Sequence, residues 1–181
     1  MVLLTHVAAA SDQASLWLET GFGSPTGLMG GRIGWSPTPA WLIEAGGGLG
    51  GLGYKATIAA RRALDEDGFG TGSTFSVALG PVVTMYSQEM GFVLPEPGLY
   101  WSLWIDPQVA WEVRAKFGLS YRIALGVSVH LADNQGALCA SVPQGRGAPP
   151  STCNPMHWPT GPLLADGPVL PHFGHSIGWS F

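Results

Sequence analysis

Charge is what this chain lacks most. Only 11% of its 181 residues are Asp, Glu, Lys or Arg, where soluble domains carry roughly 25%. The formal net charge is −4 and there is no basic run, which argues against a nucleic-acid partner. Long apolar runs are missing as well. A membrane-crossing helix needs about 20 consecutive apolar residues. The longest uncharged stretch, residues 68–88, is broken by four glycines, Pro81 and interspersed Ser and Thr. With 27 Gly and 15 Pro in the chain, long helices of any kind are disfavoured. Cysteine is scarce: Cys139 and Cys153 lie in one Pro/Gly/Ser-rich stretch. Two thiols so far apart make no metal site by themselves. In an oxidising compartment they would close a loop, and a disulfide is expected there. A phosphate-binding loop, a dinucleotide fingerprint and a nucleophile elbow are all absent. No cofactor and no metal are expected.

What the chain does have is apolar content delivered in alternation. Hydrophobic residues make up 46% and mean hydropathy is +0.22. The last nine residues, FGHSIGWSF, alternate bulky with small. Strand side chains point to opposite faces with period two. Phe173, His175, Ile177, Trp179 and Phe181 therefore share one face, and Gly174, Ser176, Gly178 and Ser180 the other. The same period divides the chain into eight segments: 15–22, 28–35, 41–49, 54–64, 74–86, 100–114, 119–131 and a final one after Pro171. Residues 23–27 read as an outer turn, the glycine-rich 46–53 as another, and Pro107 as a bulge, because it cannot donate to a ladder. The expected fold is all-β: an eight-stranded antiparallel up-and-down barrel formed by residues 15–181, with a long outer loop at about 132–170. Residues 1–14, with a short apolar core and an Ala-rich end, read as a signal-peptide remnant or a flexible N-terminal lead. If the first strand starts at the inner side, both of the longest connections, 87–99 and 132–171, fall on the outer side. Transmembrane barrels show that asymmetry and an even strand number.

Volume decides which face points out. One face collects Leu16, Leu18, Phe22, Ile33, Trp35, Ile43, Tyr54, Ile58, Phe75, Trp101, Trp111, Tyr121, Leu125 and their like. The other is largely Gly, Ala and Ser, including Gly34, Gly46, Gly48, Ala59, Ser76, Ala110, Ser120 and Gly126. An eight-stranded barrel is just wide enough inside for ordinary side chains, so the bulky set would overfill it and must face outward. The charges follow the small face: Glu19, Glu44, Asp106 and Glu112 with Arg32, Lys55, Arg61, Arg114 and Arg122. Four acids against five bases predict a lumen closed by ion pairs, with no open pore. Arg62 falls on the bulky face near an inner rim, where it can snorkel. Trp35, Trp41 and Trp179 lie near strand ends, as an aromatic girdle would.

The eight segments, the outer-loop asymmetry and the terminal Phe181 together resemble the OmpA/OmpX/OmpW group of small Gram-negative outer-membrane barrels. Trp111-Glu-Val-Arg114, the turn at Gly118 and residues 119–126 resemble the inner hairpins of that group. The resemblance implies a place in the outer membrane and a monomer surrounded by outer-membrane lipid. It also implies a closing strand read by the barrel-assembly machinery through Phe173, Ile177, Trp179 and Phe181. Some such barrels modify lipid A, and Ser128, His130, Asp133 and His172 lie at the outer end of the last two strands. Ser128 and His130 are two residues apart on one strand face, about 6–7 Å between Cα atoms, which is loose for a nucleophile and its base. His130, His157 and His172 lack compact metal-ligand spacing. The reading is a non-enzymatic outer-membrane barrel with a filled lumen. A narrow solute channel, a rim-sited lipid hydrolase and a soluble ligand-binding barrel are the alternatives.

Overall fold

Burial alternates along most of the strands, and the sheet those strands form closes on itself. The computed structural model describes residues 13–50, 53–87, 99–134 and 169–181. Ten strand segments are present: β1 (Gln13–Phe22), β2 (Met29–Thr38), β3 (Trp41–Gly50), β4 (Gly53–Ala63), β5 (Gly72–Leu79), β6 (Pro81–Ser87), β7 (Leu99–Ile105), β8 (Gln108–Arg114), β9 (Leu119–Asp133) and β10 (Val169–Ser180). β1 through β4 pair in sequence, β4 pairs with both β5 and β6, and β9 takes both β7 and β8. β10 joins β9 to β1, where Ser15 faces Ser180 and Phe22 faces Phe173. The result is a closed antiparallel barrel of eight staves.

Two staves are each interrupted once, which is why ten segments make eight. β5 gives way to β6 at Gly80, and β7 to β8 at Asp106 and Pro107. Each interruption sits beside a proline that cannot donate a ladder bond. The two breaks are neighbours, since the Asp106 N–H donates to Gly80 O at 2.9 Å and Pro81 faces Ile105. Alternation runs through both: Ala78, Gly80 and Val82 are all buried, as are Trp104, Asp106 and Gln108.

The bulky face points outward, as the volume argument requires. Leu18 is 71% exposed, and Phe22, Ile33, Ile58, Phe75, Leu125 and Ile177 are all exposed with it. Arg62 is exposed too, its guanidinium carbon 5.9 Å from the Trp41 ring centre across the strand pair. One end of the barrel carries the connections at Pro39 and Ala40, 64–71 and 115–118. We call it the turn end and the opposite one the loop end. At the turn end Phe69 folds under the barrel, and its side chain is buried against Leu42 and Ala63.

Several expected boundaries shift. The glycines at 46–50 are strand, not turn, because β3 runs to Gly50. β1 starts at Gln13, inside the stretch expected to be a flexible lead. β9 continues to Asp133 and β10 begins at Val169, so residues 132–133 and 169–171, expected in the outer loop, are strand. Cys139, Cys153 and His157 lie outside the described residues, and so does the expected disulfide.

Candidate functional site

The lumen is where the chain concentrates its chemistry. Small residues line it, and each large charged side chain stands beside one. Arg32 pairs in register with Gly46, and Glu44 with Gly34 and Ala59. A methyl group at Gly46 would press on the Arg32 side chain, so the glycine is what makes room for the guanidinium.

Glu44 is the hub. It is 1% exposed and meets Arg32 at 3.5 Å, Arg61 at 3.1 Å, and Arg122 through its other oxygen. Arg32 also binds Glu19, and Arg122 also binds Glu112 at 2.9 Å. Glu112 in turn takes Arg114 at 2.8 Å, and Arg114 donates to Phe69 O at 2.8 Å, which ties the lattice to the turn-end plug. Arg61 donates further to Ser76 at 3.3 Å and Gln108 at 3.1 Å. The Arg122 guanidinium carbon lies 4.1 Å from the centre of the Trp17 ring, a cation–π contact. Isolated buried charges would be prohibitive, but opposite charges that also hydrogen-bond can be held in such an interior.

Toward the loop end the cluster changes character. Residues 23–27 do not stand out from the rim as an outer turn would. They fold into the mouth, where Ser24, Pro25, Thr26 and Gly27 are all buried. Lys55 donates to Ser24 O at 3.0 Å and to Gly23 O at 3.5 Å. His172 Nε2 stands 3.7 Å from Asp106 Oδ2.

Of the residues singled out in the sequence, Glu19, Arg32, Glu44, Arg61, Glu112, Arg114 and Arg122 meet in one lattice. Lys55 and Asp106 stand apart from it, nearer the loop end. Phe173, Ile177 and Trp179 share the outward face of β10, and Phe181, just past its end, is exposed with them. Ser128 is buried in the lumen, whereas His130 packs edge-on against Trp104 with ring centres 4.8 Å apart. Four contributors escaped the sequence reading. Trp17 and Trp104 point inward, and Gln108 and the turn at Ser24 to Thr26 fill the rest. Trp17 was legible, since it lies between outward Leu16 and Leu18. Its bulk is accommodated by Gly178, where any side chain would strike the indole.

Comparison with solved structures gives the architecture a counterpart. The crystal structure of the N-terminal β-barrel domain of Pseudomonas aeruginosa OprF matches with a TM-score of 0.62, over 95% of this chain and 99% of that one, at 11% identity. The two share a fold. At that identity the likeness to the OprF barrel domain concerns backbone architecture alone. No family model matches the sequence. A search of curated proteins also returns no match.

Proposed function

We propose that this chain is an outer-membrane β-barrel protein with a closed lumen, non-enzymatic, acting as a structural element of the membrane or as a surface-contact protein. One observation carries the reading: Leu18 is 71% exposed on the outside while Glu44 is 1% exposed inside. Monomeric soluble proteins rarely expose apolar patches beyond a few hundred Å², and this outward band encircles the barrel. In a bilayer the same band is the expected exterior. The fold shared with the OprF barrel domain supports the outer membrane as the bilayer concerned. Lipid is then the main partner of the outward face. The outward row on β10 that ends at Phe181 is available to the barrel-assembly machinery before closure.

A solute channel is disfavoured because the Glu44 lattice crosses the lumen from β2, β3, β4 and β9, and Phe69 closes the turn end behind it. A rim-sited hydrolase is disfavoured because Ser128 and His130 stand two residues apart on one strand, which is loose for a nucleophile and its base. Two measurements test the proposal. Cell fractionation should place the protein with outer membranes, released only by detergent; recovery in the aqueous fraction defeats it. In planar bilayers the purified barrel should show no steady openings, and sustained conductance would favour the channel instead.

A further inference from the structure

Residues 23–28 form the connection whose packing the closed-lumen reading leaves unexplained. A short hairpin loop at a barrel rim normally faces solvent, yet residues 24–27 of this one are buried. Its seat is bare backbone: a methyl group at Gly30, Gly46 or Gly48 would run into Thr26. Its two flanks are glycines in the left-handed region, Gly23 at φ 69° and Gly27 at φ 89°, where other residues are strained. Between those pivots the turn is closed on itself. The Gly27 N–H donates to Ser24 O at 2.8 Å, and the Ser24 hydroxyl donates to Gly27 O at 2.7 Å. Leu28, beyond the second pivot, is fixed to the wall by its N–H, which donates to Leu49 O at 2.7 Å, so the unit free to move is residues 23–27. Among the described hydrogen bonds, the side-chain bonds reaching it from the barrel wall are those of Lys55.

Beneath it lies a group that the sealed arrangement does not serve. His172 is 4% exposed, and neither ring nitrogen has a hydrogen-bond partner among the described residues. Buried polar groups without partners are costly, and access to water removes the cost. A methyl group at Gly23 would come 3.0 Å from His172 Cβ, so the turn lies over that residue and its displacement would open the way for water to reach it.

We propose that residues 23–27 are a hinged stopper, latched by Lys55, which swings out of the loop-end mouth and uncovers a blind vestibule floored by the Glu44 lattice. The vestibule, with Glu19, Asp106, Ser128 and His172 at its wall, is wetted when the stopper leaves. The Arg–Glu lattice behind it stays shut, so the device opens a recess and not a pore. It rests on the closed-lumen reading.

The test is labelling of Thr26→Cys by a water-soluble maleimide, in a Cys139→Ser, Cys153→Ser background refolded into detergent micelles, where both ends of the barrel meet water. Asp67→Cys, on an exposed turn, serves as the fast reference. Thr26→Cys should react far more slowly than the reference, and Lys55→Met should raise its rate at least tenfold. Lys55→Arg, which keeps donors in place, should restore the slow rate. A Lys55→Met rate within threefold of the parent overturns the latch, and equal rates for Thr26→Cys and Asp67→Cys in the parent overturn the seat. Should Lys55→Met not fold, Lys55→Ala, which removes the donor without adding bulk, is read against the same threshold. Steady conductance by the parent barrel would sink the closed lumen without altering the labelling result, so the two ideas fail separately.

Discussion

Glu44 sits among Arg32, Arg61 and Arg122, so removing its charge leaves the buried Arg61 without its carboxylate and takes one of two from Arg32 and Arg122. Breaking one partner out of a buried ion pair costs about 3–5 kcal/mol. Glu44→Gln should therefore lose that much in urea unfolding from lipid vesicles, while Glu66→Gln, on an exposed turn, should change little. An equal response from the two variants would mean that the lattice contributes nothing net. Each of the nine lumen charges was assignable from parity alone, because its neighbours on either side are outward. The pairing among them was not, since Glu44 and Arg122 are 78 residues apart.

Strands and turns were legible to different degrees. Period-two alternation marks every stave, and Pro107 marks the interruption between β7 and β8. Glycine misled the reading at 46–50, where a local turn signal competes with strand pairing and loses. The missing side chains there are filled by the turn at Ser24 to Thr26 from another hairpin, and no local rule reveals such a partner. The connection 64–71 is similar. Asp65, Glu66 and Asp67 mark a turn, but Phe69 turns inward to plug the end, with its backbone carbonyl held by Arg114. Truncating a buried Phe costs about 3–5 kcal/mol. Phe69→Ala should destabilise the barrel by about that amount, measured by the same unfolding, with its strand content intact by circular dichroism. A loss below about 1 kcal/mol would show that the plug is not packed in the membrane-embedded protein.

At the scale of the whole molecule, the solvent outside the barrel decides what a surface substitution costs. Leu18 lies on the outward face of β1, between the turn-end and loop-end rims. An Arg at the bilayer midplane of a barrel costs about 2–4 kcal/mol. Leu18→Arg should lose stability of that order in lipid vesicles. If water covered this face instead, the same change would lie within about 0.5 kcal/mol of neutral.

Composition and alternation alone determined the class of fold, the count of staves and the face each side chain takes. Those properties follow from the two-residue period of a strand and from the volume an eight-stranded cylinder can hold. Only the tertiary structure decided what fills that cylinder. Which arginine meets which carboxylate, which glycines leave room for Thr26, and whether residues 23–27 stand outside or inside all depend on residues brought together from distant staves. Closure of the sheet makes those approaches, and no local pattern encodes them.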